Sequence, residues 1–587
     1  MRNCLYRRFL FFILIFVCLL AFPQKYRIGK ISYSLEKTRE QDLRRVVPVN
    51  TDRIFASKEE LDSYLLDLKQ RLMNTRAFDN VELAISNDQL EVTGGEVSPG
   101  KSKTNNKFQN DAHKDVGKSR ENPQEFCLQN SCLDRMSVPT PSAGDPPATP
   151  PSTTDTIIPI SLHISAQDTK HLLILPYPKY DSNDGLIFKI KVKDVNFLGT
   201  MNTMDAGVFT GLKEDVTTGE QNLTFGGEFK YKYPFCAGPF VCSWNNNFDL
   251  TYTRGVNELE FWTGTGLTFE LPFKRVSFVL DVSEQANRDL EYEAFKDTQY
   301  FTSDANFSVP VKILDIDDWG FVYWTPFIDG KVSYDKDGIN IKNDDLASPV
   351  VSCGQSVSTS RINWHGNFRD GISAKIGHSI GYDFQQEETE PRAFGEIQAF
   401  KGFKYIGFNT RFTAFVTKSN RGKIGDLIRG VRDKQKYVNT AGLELRTQRA
   451  LKTPSALVLN IDIPVHIITT HWLDWSDFIF GEESWFSRTF AWTDKFNFEL
   501  QASPFMDIAL TKNEVTDRLF SPKDGWYTGG IEFLVFPEHW KGIVMRCSFG
   551  VDLGRAVLAK KYPEKIDMSW RENVKKYEIY AGIGLHY

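Results

Sequence analysis

From about Leu186 to Tyr587 the chain repeats one device: short runs in which apolar and polar residues alternate, broken by turn residues and often ending in an aromatic. Period-two alternation marks a strand with two unlike faces, and about four hundred residues of it leave few folds open. In the clearest run, Leu259, Phe261, Thr263, Thr265, Leu267, Phe269 and Leu271 alternate with Glu258, Glu260, Trp262, Gly264, Gly266, Thr268 and Glu270. A strand of this length crosses a tilted apolar band of ~25 Å, with lipid on one face and a polar lumen on the other. After Pro272 the alternation resumes at Val276, Phe278, Leu280 and Val282, which implies a hairpin. Phe188, Ile190 and Val192 likewise oppose Lys189, Lys191 and Lys193, and Phe496, Phe498, Leu500 and Ala502 oppose Asn497, Glu499 and Gln501. The last run puts Tyr577, Ile579, Ala581, Ile583, Leu585 and Tyr587 on one face. Only a closed barrel avoids a free sheet edge in lipid. At ~25 residues per strand with its loop, the expectation is a mainly β fold: an antiparallel transmembrane barrel of about sixteen strands over 181–587. The rival architecture, a soluble sandwich or propeller array, explains neither strands this long nor the terminal aromatic.

A mean hydropathy of −0.35 does not argue against this, because barrel strands are apolar only at every second position. Net charge of −5 gives no electrostatic case for nucleic acid. Arg2, Arg7 and Arg8 precede an apolar run from Phe9 to Phe22 and then Pro23-Gln24, the pattern of a secretory signal peptide over 1–24; an uncleaved anchor is the alternative. Of eight cysteines, Cys4 and Cys18 lie within that signal. Cys127 with Cys132, and Cys236 with Cys242, are close enough in sequence for two local disulfides in an export compartment, leaving Cys353 and Cys547 over.

Residues 25–180 read as a small α+β domain. Tyr26 to Leu35 has strand character, Ser57-Lys58-Glu59-Glu60 forms a capping box, and Leu61, Tyr64, Leu65, Leu68 and Leu72 recur at helical spacing. Phe78 to Leu83 leads into a strand, and Ile158, Ile160, Leu162 and Ile164 alternate in another. Between them, 94–156 is rich in Pro, Ser, Thr, Asn, Asp and Lys and is expected to be a disordered insertion.

Within the barrel region, Leu427-Ile428-Arg429-Gly430-Val431-Arg432 lies in a basic segment too hydrophilic to span anything. It is read as a loop folded into the lumen, against the alternative of a solvated basic loop. Trp472, Trp475, Phe478, Phe480, Trp485, Phe486, Phe490 and Trp492 cluster with Asp474, Asp477, Glu482 and Glu483. Two readings stay open for them: an amphipathic segment on the inner leaflet, or an interfacial girdle. No H-E-x-x-H, P-loop, G-x-S-x-G or dinucleotide fingerprint occurs, and His466 and His471 are too isolated to suggest metal; no enzyme activity, metal or cofactor is expected.

Several phrases together resemble the BamA/TamA superfamily of outer-membrane assembly and translocation barrels (bacterial surface antigen family). Leu72-Met73-Asn74-Thr75-Arg76-Ala77-Phe78-Asp79-Asn80-Val81 is similar to a polypeptide-transport-associated (POTRA) phrase, with Arg76 where Gly is usual. Asn196-Phe197-Leu198-Gly199-Thr200 resembles the phrase after the first barrel strand, and Ile428-Arg429-Gly430-Val431 the motif of the lumen loop, with Val431 in place of an aromatic. Leu459 to Pro464 resembles the acidic strand that follows, with Gly442 to Arg446 as a rival, and Phe505-Met506-Asp507-Ile508-Ala509 the next strand, with Ala509 in place of Gly.

The resemblance implies one POTRA-like domain in the periplasm and a barrel in the cell outer membrane, in contact with its lipid. It also implies that Asp507 and Asp462 face Arg429 from the lumen wall, and that Tyr577, Leu585 and Tyr587 mark the closing strand. The implied function is insertion or translocation of unfolded outer-membrane or secreted polypeptides. Clients would be captured by the POTRA-like domain, which could also contact a periplasmic or inner-membrane partner. A seam between a first strand, Leu186 to Val192, and the last would admit them. The alternatives are a dedicated two-partner-type secretion pore, or a passive channel or adhesin.

Overall fold

The computed structural model describes residues 24–87, 157–181, 185–214, 221–255, 259–288, 298–316, 319–335, 338–339, 349–418, 422–431, 435–438, 445–448, 451–481, 485, 489, 491–513, 515–572 and 576–586. Residues 1–23 of the expected signal peptide, the expected insertion, Cys127, Cys132, Phe486, Phe490 and Tyr587 lie outside them. Two compact units divide the chain: Met1–Ser34 with Val49–Leu66 and Leu83–Ile164, and Leu35–Pro48 with Asp67–Glu82 and Ser165–Tyr587.

Near the N-terminus the order is β1 (Lys25–Leu35), α1 (Glu40–Val46), β2 (Ile54–Phe55), α2 (Lys58–Asn74), β3 (Phe78–Asn87) and β4 (Ile157–Asp168), with the strands in sheet order β2-β1-β4-β3. Alternation in β4 buries Ile160, Leu162, Ile164 and Ala166, and the helical spacing in α2 buries Leu61, Leu68 and Leu72. The capping box forms with a shift of one residue. Ser57 Oγ accepts from Glu60 N–H as expected, while the Glu60 carboxylate turns to Ala56 N–H at 2.7 Å and to the Arg53 guanidinium. Those bonds hold its carboxyl below the usual range.

The second unit is dominated by a closed antiparallel barrel. Among the described residues, twenty-one hydrogen-bonded segments complete the circuit. Two of its strands are interrupted. Gln299–Ser308 and Val311–Ile316 form one strand beside Gly320–Tyr334, and β8 (Ser455–Asp462) with Val465–Thr469 forms one beside β9 (Phe498–Asn513). The breaks fall at Pro310 and Pro464, which cannot donate to the ladder. Arg518–Leu519 pairs antiparallel with the end of β9, in line with Trp526–Pro537, and only continues that strand. Three of the 21 segments are therefore continuations, and among the described residues eighteen strands make the wall, an even number close to the expected one.

Large apolar side chains stand exposed all round the outer face, among them Phe188, Phe229, Phe248, Leu280, Ile328, Ile376, Phe412, Phe533 and Phe549. A band of that extent suits lipid rather than water. Lysines alternate with it: Lys189 is paired with Glu228, and Lys191 with Asp205 at 3.1 Å, as the two-faced pattern requires. Among the described residues no helix is long and apolar enough to cross a membrane.

Four expectations change. The barrel begins before 181, with β5 (Leu172–Asp181), so β6 (Gly185–Asp194) is its second strand and Leu186 to Val192 does not meet the last one. The last strand is β12 (Tyr577–Ile583); at Gly584, φ is 109° and the chain bends, so Leu585 leaves the ladder and packs beside Leu534, Phe536 and Val544. Cys236 lies opposite Val241 on the neighbouring strand, so Cys242 points to the other face and the two are not joined. Of the rival acidic segment, Gly442 to Glu444 lie outside the described residues, and Leu445 and Arg446 are not in the wall, since Leu445–Gln448 pairs with Gln435–Val438 in a separate small sheet.

Candidate functional site

The segment bearing Arg429 links β7 (Gly407–Thr417) to β8, and it is held inside the barrel by a row of polar side chains on consecutive strands. Register makes that row. Arg411 lies opposite Asn460, Asn460 opposite Asp507, Asp507 opposite Thr528 on β10 (Trp526–Pro537), and Thr528 opposite Asp552 on β11 (Met545–Asp552). Residues directly paired across strands share a face. Two positions along, Asn409, Asp462, Phe505, Gly530, Gly550 and Glu578 form a second row.

Arg429 reaches both rows. Its backbone N–H and Nε donate to Asp507 Oδ2 at 2.8 and 3.0 Å, and Nη2 donates to Oδ1 at 2.8 Å. Nη1 stands 2.8 Å from Asp462 Oδ1, out of line for a hydrogen bond, and 3.7 Å from Glu532. The guanidinium also stacks on Phe505, 3.9 Å from the ring centre. Arg429 is 5% exposed and Asp507 0%. Burial works against the guanidinium charge, but the carboxylates of Asp507 and Asp462, the hydrogen bonds to Asp507, and Glu532 outweigh it and hold the pKa above its ordinary value.

Gly430 lets the loop tip touch the wall backbone. Its φ is 79°, a Cβ there would lie 2.8 Å from Val551 N, and one on Gly550 would lie 2.6 Å from Gly430 Cα. Gly430 N–H then donates to Glu578 Oε2 at 2.6 Å. Ile428 and Val431 are buried with Ile424, Phe415, Ala456, Val458, Ala509, Trp526 and Trp570. The smaller Val431 and larger Ala509 thus share one cluster, and the two indoles supply aromatic volume that Val431 lacks.

Asn196, Phe197, Leu198 and Gly199 do other work. Asn196 Nδ2 donates to Thr38 Oγ1 at 2.8 Å, Phe197 packs edge-on to Tyr231, and Gly199 O accepts from Arg39 N–H at 2.9 Å. Leu198 and Gly199 both have positive φ, and a Cβ on Gly199 would fall 2.2 Å from Lys37 O. The turn therefore holds the Leu35–Pro48 segment. Arg76 also explains itself: its φ of 54° suits glycine, yet its guanidinium stacks on Trp364 at 4.3 Å and donates to Lys541 O and Asn367 Oδ1. Burial, opposed by Glu499, pulls its pKa to about 10.

Sequence reading missed the rest of the network. Arg411 donates to Asn460 Oδ1 and to Leu427 O, which Asn460 Nδ2 also bonds at 2.7 Å. Glu532 lies between Arg429 and Arg546. Arg571 pairs with Asp552 at 3.0 Å over Trp526, binding the last long connection to the same wall. Their one shared sequence mark is a polar residue at every second position of a strand, too common to single them out. Among the described residues no group of three His, Cys, Asp or Glu is placed to hold a metal.

No family model matches the chain, and no curated protein matches it. Solved structures do. BamA from Haemophilus ducreyi lacking POTRA domains 1–3 aligns over 95% of this chain and 85% of its own at 10% identity, TM-score 0.33. CdiB from Acinetobacter baumannii aligns over 95% and 73% at 10% identity, TM-score 0.41. CdiB from Escherichia coli aligns over 94% and 76% at 8% identity, TM-score 0.41.

Proposed function

We propose that this protein inserts polypeptides into the outer membrane, or moves them across it, without covalent chemistry. The observation that carries this is the unequal closure of the barrel. On one side β12 meets β11 at seven successive positions, from Met545 opposite Ile583 to Val551 opposite Tyr577. On the other it meets β5 at two among the described residues, Tyr580 opposite Asp181 and Ala581 opposite Tyr180. A backbone hydrogen bond contributes ~1 kcal/mol net, so this seam is the cheapest line along which the wall parts. Parting exposes the unpaired edge of β12, which can template an incoming strand as any free sheet edge does. The loop locked by Arg429 binds β8 to β12 from inside while this happens. In this reading the N-terminal module lies in the periplasm, where the edge strand β3 captures unfolded clients by strand addition.

A staple tests it. In a chain with Cys236, Cys353 and Cys547 replaced by Ser, the pair Tyr180→Cys and Ala581→Cys closes the seam on oxidation. Assembly of outer-membrane barrels in cells depleted of the wild-type protein is expected to fail in the oxidised state and recover with dithiothreitol. Full assembly while stapled would sink the seam mechanism. Intact barrels with one missing secreted protein would identify a dedicated pore instead.

A further inference from the structure

One element of the barrel plays no part in the function proposed above. Helix α3 (Trp472–Phe480) follows Val465–Thr469 in the wall, and the chain re-enters the wall at β9. None of its residues is buried; Phe478 is 91% exposed and Ile479 65%. With 3.6 residues per turn, Trp472, Trp475, Phe478 and Ile479 fall on one side and Asp477 opposite them, with Asp474 beside it. Only Asp474, Ser476 and Asp477 interrupt an otherwise apolar surface. Such a helix is unsuited to water on that side.

Its surroundings say what covers it. The helix is tied to the wall where Trp472 N–H donates to Asn497 Oδ1 at 3.0 Å and Nε1 donates to Phe496 O at 3.3 Å. Trp472 stacks edge-on to Trp475 and leans on Phe498, while Phe496 faces Trp540 at 6.4 Å. Trp540 Nε1 donates to Leu172 O, and Lys170 Nζ stands 5.1 Å from its ring. This aromatic belt therefore runs along the rim at which the chain enters its first wall strand. Indoles with a bonded N–H and an apolar body favour the membrane–water boundary. The strand before the helix carries exposed Ile467 and Ile468, so the apolar surface of α3 continues the outward-facing band of the barrel.

We propose that α3 is a monotopic membrane helix, lying in the headgroup layer of the leaflet at that rim with Phe478 and Ile479 among phospholipid acyl chains. Its acidic edge faces water and needs no anionic lipid.

Photo-cross-linking of the full chain in phosphatidylethanolamine and phosphatidylglycerol vesicles tests this, with Phe478 replaced by benzoylphenylalanine and only folded, heat-modifiable protein analysed. Phe248 on the outer wall is the lipid-facing control, and Glu387 in an exposed turn the water-facing one. Phospholipid adducts at Phe478 are expected at a yield within about twofold of Phe248, and the same at Ile479. Yields at the Glu387 level, adducts to a second copy, or adducts within the same chain would each overturn the proposal.

Discussion

Arg429 balances three buried carboxylates, Asp507, Asp462 and Glu532, with Arg546 sharing only the last. Removing one partner of such a group leaves charge in a low-dielectric space, and that penalty dominates over the loss of any single bond. Arg429→Ala is therefore expected to destabilise the folded barrel by ~3–5 kcal/mol, and Asp507→Ala by a similar amount. Because both remove one interaction, the double variant should cost far less than their sum. Thermal unfolding in detergent reads the stabilities, and trypsin cleavage near Lys423 reports release of the loop. Additive losses would mean that the two residues act apart. The Arg429 motif was legible because Arg-Gly sits in a hydrophilic segment between strands. The compensation between Val431 and Ala509 was not, because it depends on Trp526 and Trp570, remote in sequence and brought together by register.

Turns carry more of this fold than their length suggests. The turn at Asn196 to Thr200 ends β6, and its geometry is set by two consecutive residues with positive φ, the second of which lies against Lys37 O. The strand ending there is readable from alternation, but the contact is not, since Leu35–Pro48 is distant in sequence. Gly199→Ala would place a methyl group where there is no room and add left-handed strain of roughly 1–2 kcal/mol. The expected result is faster amide exchange in α1 and at Arg39, with the wall strands β7 and β8 unchanged. Unchanged exchange at Arg39 would show that the turn does not hold this segment. Cys236 and Cys242 are likewise close in sequence, yet the one-residue offset across the hairpin sends their side chains to opposite faces.

At the scale of the whole molecule, alternation disclosed the barrel because lipid on one face and a lumen on the other impose period two on each strand, a signal any short window contains. Strand pairing is not local in that sense. Nothing in Leu172 to Asp181, with Pro176 and Pro178 breaking its pattern, marked it as the first wall strand. Those prolines matter to the closure: a strand with missing N–H donors makes a poor partner, so β5 is suited to the weaker side of the ring. Opening should then begin there. Val350–His365 and Phe368–Asp383 are paired at sixteen positions, the longest ladder in the wall, whereas β12 and β5 share two among the described residues. Local opening follows the number of bonds that must break together. Amides of β12 that face β5 are therefore expected to exchange at least about tenfold faster than those in the middle of the sixteen-position hairpin, in vesicles and without any client. Fast exchange confined to β12 and β5 would fit a ring that parts at one line. Uniform protection round the wall would mean that closure is as strong there as elsewhere, and a barrel of that kind would have to pass clients through its lumen, past the loop that Arg429 holds in place.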